Sequence, residues 1–235
     1  MSLMRWLVLL GCVPICAVRA ASPLSPQAQE AISPVHQALE RTREQQGRKG
    51  QPESVSEQLV RLGELDQAPR AVLPSIDLSK LPADERDATA TAMWEEINEQ
   101  DAANQSVLLT LMPPTGWFTA DRYGTEAAEA AWSVIQHAIK QPSIMKDALA
   151  RMTPAALAGL VNPDDFGRLA DRVAMLDGEP QSYGTQFVCA DHRWGVYSLI
   201  DPEHVEERRH ALGMTETQEQ ESARIAKYPP CYPPK

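Results

Sequence analysis

A mainly α fold, a helical domain with one C-terminal β-hairpin, is predicted by three observations. From residue 54 to residue 178, apolar residues recur every three to four positions, the period of a helix with one buried face. Prolines stand where the first turns of several helices would lie, at positions 82, 142, 154 and 163. After residue 182 the period changes to two, in two runs separated by residues 190–193, which predicts a hairpin over 183–199.

Residues 1–20 have the pattern of an export signal. Arg5 supplies the positive charge, the apolar run 6–18 follows, and small or apolar residues stand at Val18 and Ala20, which a signal peptidase reads. The run is too short to span a bilayer as a helix. We therefore expect cleavage after Ala20, a periplasmic or secreted protein, and no transmembrane segment in the mature chain. A short membrane anchor and a lipoprotein attached at Cys12 are the alternatives.

The cysteines predict one disulfide. Cleavage removes Cys12 and Cys16 and leaves Cys189 and Cys231, and two cysteines in an exported chain are typical of a disulfide. Closing a loop of about 42 residues would stabilise the fold by about 4 kcal/mol on the chain-entropy model. Two free thiols are the alternative. The sequence has no CxxC spacing and no Cys/His cluster, so no metal and no cofactor are predicted.

Composition and charge exclude several classes of protein. The chain has 22 Lys and Arg against 32 Asp and Glu, a net charge of -10, and 43% hydrophobic residues. This balance is typical of a globular protein and excludes collagen-like, coiled-coil and wholly disordered chains. Its acidity argues against a nucleic-acid partner, which would need clustered Lys and Arg.

The first half of the chain predicts a linker and three helices. Residues 21–53 are polar and are predicted to be a linker with one loose helix at 26–46. A helix follows Ser54, and a second begins at Pro82 and ends before Pro113. A third is predicted from Thr125 to Lys140, with an apolar stripe of Ala128, Ala131, Trp132, Ile135 and Ile139.

The second half predicts further helices around the hairpin. Asn162 and Pro163 open a helix that closes at Gly178. Asp201 begins another helix that ends near Gly213, so the helical domain is predicted to span 54–213. Residues 214–235 are predicted to form a C-terminal helix and a Pro-rich tail. Four tryptophans are predicted to lie in the core: Trp94, Trp117, Trp132 and Trp194.

An ordered set of polar motifs resembles a bacterial domain family of unknown function. The resemblance covers roughly residues 54–213. It is carried by Asp66-Gln67…Arg70, Asp101…Asn104, Gly116-Trp117, Gly124…Trp132…Gln136-His137, Asp171-Arg172-Val173, Gln181 and Tyr183-Gly184-Thr185-Gln186. The chain departs from the family pattern after His137, where Ala138-Ile139-Lys140 stands in place of the usual Asp. The resemblance implies no activity, but it directs attention to these polar residues.

The candidate catalytic or binding residues come from this motif set and are expected to meet in space. They are His137, Gln136, Arg172, Asp171, Gln186, Tyr183, Asp66, Arg70, Asp101 and Asn104.

Four of these candidates also have a structural interpretation. His137 lies opposite the apolar stripe of its predicted helix, so it is either a general base in a cleft or a solvated histidine. Arg172 either holds a carboxylate or belongs to a solvated ion-pair face. Tyr183 and Gln186 either line a groove or only begin the hairpin.

Three classes of function remain, in order of preference. The first is an exported binding or interaction domain with a polar cluster around Gln136 and His137. The second is a periplasmic hydrolase that uses His137 as general base, and the third is an envelope accessory protein. The partner would be a small molecule or an envelope protein. HExxH, GxSxG, Walker and GxGxxG motifs are absent from the sequence. An enzyme requires His137 within reach of a carboxylate in a concave pocket, whereas a packing network would be sealed.

Overall fold

The computed structural model describes residues 23–228. The predicted signal peptide, the alternative anchor at Cys12 and the tail with Cys231 lie outside these residues. Cys189 lies on a described strand, and its disulfide with Cys231 stays a prediction. No helix between residues 23 and 228 combines the length and the apolar character needed to cross a membrane.

The predicted fold class is confirmed, because residues 23–228 are mainly helical with one antiparallel hairpin near the C-terminus. The helices are α1 (Pro26–Lys49), α2 (Val55–Val72), α3 (Ala83–Leu111), α4 (Ala120–Tyr123), α5 (Thr125–Gln136), α6 (Pro142–Leu157), α7 (Pro163–Leu176), α8 (Val205–Leu212) and α9 (Gln218–Ile225). The strands are β1 (Phe187–Ala190) and β2 (Arg193–Val196), and Phe187 pairs with Val196.

The helix predicted at 26–46 is present as α1, but it is packed against the fold and is not a loose part of a linker. Ser25 caps α1 by accepting a hydrogen bond from the main-chain N of Ala28 at 3.1 Å, and Pro26 occupies the first turn. Ala28, Val35 and Leu39 are buried, and the helix packs on α2 and α3. The linker part of the prediction was wrong because the apolar residues of α1 form one narrow stripe in an otherwise polar segment.

The main core lies where α2, α5, α6 and α7 meet. Its buried residues include Leu59, Ala131, Ile135, Met152 and Leu169. The buried Trp117 and Phe118 extend it, with their ring centroids 5.4 Å apart at an interplanar angle of 70°. This core packs α2 against α5, and residues of both helices form the candidate site.

Helix α5 ends four residues earlier than predicted. Gln136 is its last residue, and His137 has φ -91° and ψ 0°, outside the helix. The buried face is Ala127, Ala130, Ala131, Val134 and Ile135. As a result Ile139, predicted to belong to the apolar stripe, is 51% exposed.

The tryptophans also divide between core and surface. Trp117 lies in the core as predicted, and the half-buried Trp132 packs against it. Trp94 and Trp194 are instead 46% and 40% exposed. Trp94 lies on the face of α3 that carries Asp101 two turns later, so it borders the cleft described below rather than the core.

The hairpin is shorter than predicted. The strands begin at Phe187, and residues 183–186 form a loop in which Gly184 has φ +74°. The strands are joined through Asp191 and His192, whose φ values of 51° and 60° lie in the left-handed region, as a two-residue hairpin turn requires.

The folded unit continues past residue 213 through α8 and α9. Arg209 on α8 and Glu221 on α9 are both buried, and their side chains form an ion pair at 3.1 Å. Glu221 also accepts hydrogen bonds from Arg168 on α7 and Arg224. This network ties the C-terminal helices to α7, which the predicted boundary at 213 did not anticipate.

Candidate functional site

The site begins with a close approach of α2 and α5. A Cβ placed on Gly63 would lie 2.7 Å from the Cβ of Ala130, so only glycine allows the two helices to come this near. One turn further along each helix stand Asp66 and Ser133, and the Ser133 hydroxyl donates to Asp66 Oδ2 at 3.0 Å. The small residues therefore set the distance at which the polar groups meet.

His137 and Asp66 form a hydrogen-bonded pair. Nδ1 of His137 lies 2.9 Å from Oδ1 and 3.0 Å from Oδ2 of Asp66. Asp66 is fully buried, whereas the His137 side chain is 19% exposed. A carboxylate accepts hydrogen bonds only, so Nδ1 carries a proton, and in the neutral imidazole Nε2 then has the lone pair. No group among residues 23–228 hydrogen-bonds to Nε2.

Further donors hold the Asp66 carboxylate in place. Nε2 of Gln67 donates to Asp66 Oδ2 at 2.7 Å and to the Ser133 hydroxyl at 2.7 Å. The Arg70 guanidinium lies 3.6 Å from Asp66 Oδ1. The carboxylate that orients His137 is therefore itself oriented by neighbours on α2 and α5, an arrangement that fixes the imidazole ring.

Arg70 and Asp101 join α2 to α3 at the same place. The two Nη atoms of Arg70 donate to the two carboxylate oxygens of Asp101 at 3.0 and 2.8 Å. Nη1 also donates to the main-chain oxygen of Asp66 at 2.6 Å. This bidentate pair is the strong form of an arginine–carboxylate contact, and it neutralises the charge of Asp101.

Arg172 on α7 approaches from the other side, and its hydrogen bonds go to uncharged groups. Its Nη1 donates to the main-chain oxygen of Gln136 at 2.7 Å, and its Nε donates to Oε1 of Gln186 at 3.1 Å. No carboxylate of the described chain lies within 4.0 Å of its guanidinium. Burial, and then the neighbouring Arg168, lowers the pKa of Arg172.

These elements enclose a cleft of about 650 Å³. It is lined by Arg70, Leu73, Trp94, Asn98, Asp101, Gln136, His137, Ile139, Lys140 and Arg172. Five of the predicted residues therefore line one cleft, and Asp66 lies behind His137.

The other four predicted residues have different positions. Asp171 is buried and accepts hydrogen bonds from the main-chain N of Ser182, Tyr183 and Thr185 at 2.8 to 3.0 Å. Burial raises the pKa of Asp171, although these donors oppose the rise. Asp171 therefore shapes the loop that contains Tyr183, and this loop leads to Gln186, which holds Arg172.

Asn104 does not join the cleft. It is buried, and its Oδ1 accepts from Nε2 of Gln100 at 2.7 Å, while Oε1 of Gln100 accepts from Arg43 on α1 at 2.5 Å. This network fastens α1 to α3. It shows that membership of the motif set does not by itself place a residue in the site.

Sequence reasoning missed Trp94, Ser133, Ile139 and Lys140. A signal for Trp94 was present, since it precedes Asp101 by seven residues, or two helical turns. Ser133 and His137 are likewise four residues apart. Ile139 and Lys140 became part of the cleft only because α5 ends at Gln136.

The carboxylates of the site could alternatively bind a metal ion. Asp66, Asp101 and His137 offer ligand atoms within 4.8 Å of one another. However, Arg70 already donates to both oxygens of Asp101, and Nδ1 of His137 already bonds to Asp66. The guanidinium supplies the positive charge that a cation would bring, so the geometry favours a hydrogen-bonded pair over a metal centre.

Comparison with known proteins places the chain in a family. Residues 53–226 match the model of a family of unknown function (DUF6624), and the chain belongs to this family. The match ends at residue 226, one residue after α9, in agreement with the packing of the C-terminal helices. No curated protein and no solved structure matches the chain.

Proposed function

We propose that the cleft is an active site of hydrolase type, in which His137 acts as general base. The observation that supports this is the contact of His137 Nδ1 with the buried Asp66 carboxylate, at 2.9 Å. His137 lines the cleft, and none of residues 23–228 hydrogen-bonds to its Nε2. A neutral imidazole with Nδ1 protonated has its lone pair on Nε2, and histidine exchanges protons near neutral pH.

Water is the nucleophile that fits this arrangement. The Ser133 hydroxyl, which contacts the pair, donates to Asp66 Oδ2 and accepts from Gln67, so it is engaged on the carboxylate side. His137 would accept a proton from water while the water oxygen bonds to an acyl carbon and the carbonyl π electrons move to the carbonyl oxygen. When the carbonyl re-forms, the bond between the acyl carbon and the leaving group would break. The imidazolium would be stabilised by Asp66 and would return its proton to the leaving group.

A binding or interaction domain without catalysis is the second candidate. The polar networks of Asp171 and of Arg209 with Glu221 favour it, because both are buried and satisfied, as expected of groups that specify packing. Those networks lie on α7, α8 and α9, and neither contains His137. The difference in exposure between the two regions therefore favours catalysis at the cleft.

The tautomer of His137 tests the proposal without a known substrate. Long-range ¹H–¹⁵N NMR at pH 8 is expected to show Nδ1 protonated and Nε2 unprotonated. Asp66→Asn should disturb this state, because an amide offers both a donor and an acceptor. His36 is the matched control, since its Nδ1 lies 3.0 Å from Glu96 but its side chain is 65% exposed and outside the cleft. A proton on Nε2 of wild-type His137 would refute the proposal.

Turnover provides the second test. Hydrolysis of a panel of p-nitrophenyl esters by the wild type is expected to fall about 100-fold or more in His137→Gln, the usual range for a lost general base. Asp66→Asn should cause a comparable loss, and His36→Gln should cause none. Turnover that persists unchanged in His137→Gln would contradict the role of His137.

We further propose that the protein is periplasmic or secreted and carries a Cys189–Cys231 disulfide. Mass spectrometry of the protein isolated from cells without reductant is expected to find Ala21 at the N-terminus and one peptide that joins the two cysteines. A chain that begins at Met1, or at a lipid-modified Cys12, would refute cleavage after Ala20. Labelling of both thiols would refute the disulfide.

A further inference from the structure

The charges that line the cleft differ in sign from the charge of the whole protein. The chain has a net charge of -10, yet the cleft is lined by the cations Arg70, Lys140 and Arg172 and by one carboxylate, Asp101. Arg70 is paired with Asp101. Arg172 and Lys140 are left without an acidic partner within 4.0 Å in the described part of the chain. An anionic ligand would neutralise this excess.

Arg172 is held in place before any ligand arrives. Gln136 and Gln186 accept from its Nη1 and Nε, as described above, and both acceptors are neutral. The Gln186 side chain is in turn fixed, because its Nε2 donates to the Arg168 main-chain oxygen at 3.3 Å and to the Thr185 hydroxyl at 3.1 Å. Among residues 23–228, Nη2 of Arg172 has no hydrogen-bond partner. The guanidinium is thus oriented and has no carboxylate partner in the described part of the chain, which suits a planar anion.

The remaining wall of the cleft is apolar. Trp94 and Ile139 are 46% and 51% exposed, and both line the cleft together with Leu73. Large apolar side chains that are exposed next to a cleft are typical of a surface that a ligand covers. The cleft therefore offers an apolar wall and a cationic wall to the same molecule.

We infer that the ligand is an organic monocarboxylate whose carboxylate binds Arg172 and whose apolar body covers Trp94 and Ile139. This inference deepens the proposed function and rests on it, since the same molecule would present its scissile bond to His137. A single negative charge fits best: counting the Asp66 carboxylate behind His137, the cleft carries one excess positive charge. A phosphate dianion would leave one negative charge uncompensated.

Calorimetric titration of the full-length mature protein with four probes tests the ligand class. The probes are 4-phenylbutyrate, acetate, 4-phenyl-1-butanol and inorganic phosphate, at 0.1 M salt. We expect 4-phenylbutyrate to bind about 10-fold or more tightly than acetate, which lacks the apolar body, and than the alcohol, which lacks the charge. Equal or tighter binding of inorganic phosphate would overturn the monocarboxylate assignment.

Variants then locate the binding groups. Arg172→Gln is expected to weaken 4-phenylbutyrate binding about 10-fold or more, and Arg172→Lys to weaken it less, because lysine keeps the charge. Trp94→Ala should weaken it about 5-fold through lost apolar contact. Arg48→Gln is the control, since Arg48 is 75% exposed on α1 and does not line the cleft. If Arg172→Gln does not fold, the binding affinities of Arg172→Lys and Trp94→Ala decide whether these residues bind the ligand.

The outcomes separate this inference from the proposed function. Binding that is absent, or unchanged in both Arg172→Lys and Trp94→Ala, overturns the inference even if His137→Gln abolishes ester hydrolysis. Binding that depends on Arg172 and Trp94 supports the inference even if His137→Gln leaves hydrolysis unchanged, a result that would refute only the general base.

Discussion

Replacing Asp165 with Asn is expected to stabilise the protein at neutral pH and to change the pH dependence of its stability. Asp165 lies in the first turn of α7, half-buried beside an apolar cavity lined by Trp117, Phe118 and Met152. Burial raises the pKa of its carboxyl to about 6; Arg168 opposes the rise, and Glu129 and Asp164 add to it. Between about pH 4 and pH 6, the folded protein therefore keeps a proton on Asp165 that the unfolded chain has already lost.

The sign and size of the effect follow from linkage. The pKa is 3.8 for the unperturbed group and about 6 in the fold, so the free energy of unfolding falls as the pH rises from about 4 to 6 and is constant above. Two pKa units correspond to about 3 kcal/mol, which solvent screening at this partly exposed carboxyl reduces to about 1–2 kcal/mol. A carboxylate at a helix N-terminus contributes about 0.3–1 kcal/mol, which Asp165→Asn would lose. The net gain at pH 7.5 is therefore about 1 kcal/mol.

Urea denaturation followed by circular dichroism at pH 7.5 and pH 4.0 measures this difference. The free energy of unfolding of Asp165→Asn should exceed that of the wild type by about 1 kcal/mol at pH 7.5. At pH 4.0, where Asp165 is protonated in the fold, the two free energies should be equal. Trp132 Nε1 donates to the main-chain oxygen of Asp165, so the substitution preserves that bond. Asp147→Asn, at a carboxyl that is 56% exposed and pairs with Arg151, should show no gain at either pH. An equal gain at both pH values would refute the reasoning.

Three further substitutions test the packing around the site. Gly63→Ala should lower the free energy of unfolding in urea by about 1–3 kcal/mol, because its Cβ would lie 2.7 Å from that of Ala130. An unchanged midpoint would show that α2 and α5 separate freely. Glu221→Gln should lower the free energy of unfolding by about 3–5 kcal/mol, because it leaves the buried Arg209 without a counter-charge. A decrease below about 1 kcal/mol would show that the pair is exposed to water in solution. Asp171→Asn should cost about 1–3 kcal/mol by offering an amide to main-chain donors, and a loss of protection from hydrogen exchange confined to residues 182–185 should accompany it.

Local chemistry explains why most helices were predictable. The period of apolar residues, the prolines in first turns and the cap at Asn162 act within a few residues of chain, so α2, α3, α7 and the hairpin could be predicted from neighbouring letters. The same reasoning misjudged α1, whose stability comes from tertiary burial of a narrow stripe that includes Val35 and Leu39.

The candidate site was predictable in its membership but not in its roles. The motif set contained His137, Asp66, Arg70, Asp101 and Arg172, which the structure brings to one cleft or directly behind it. It also contained residues with structural roles, because a buried carboxylate that accepts main-chain N–H groups and one that orients a histidine are the same residue type. Only the partner distinguishes the two roles, and the partner of His137 is 71 residues away in the sequence.

The sequence by itself determined the helical class, the hairpin and the set of polar residues, because periodicity, capping and turn chemistry depend on neighbours along the chain. Tertiary structure alone decided that α5 ends at Gln136, that Asp66 rather than a local Asp orients His137, and that Arg172 lacks an acidic partner among residues 23–228. The approach of Gly63 to Ala130 and the burial of Asp66 set these pairings. Both depend on how helices distant in sequence pack, and no local pattern encodes that distance.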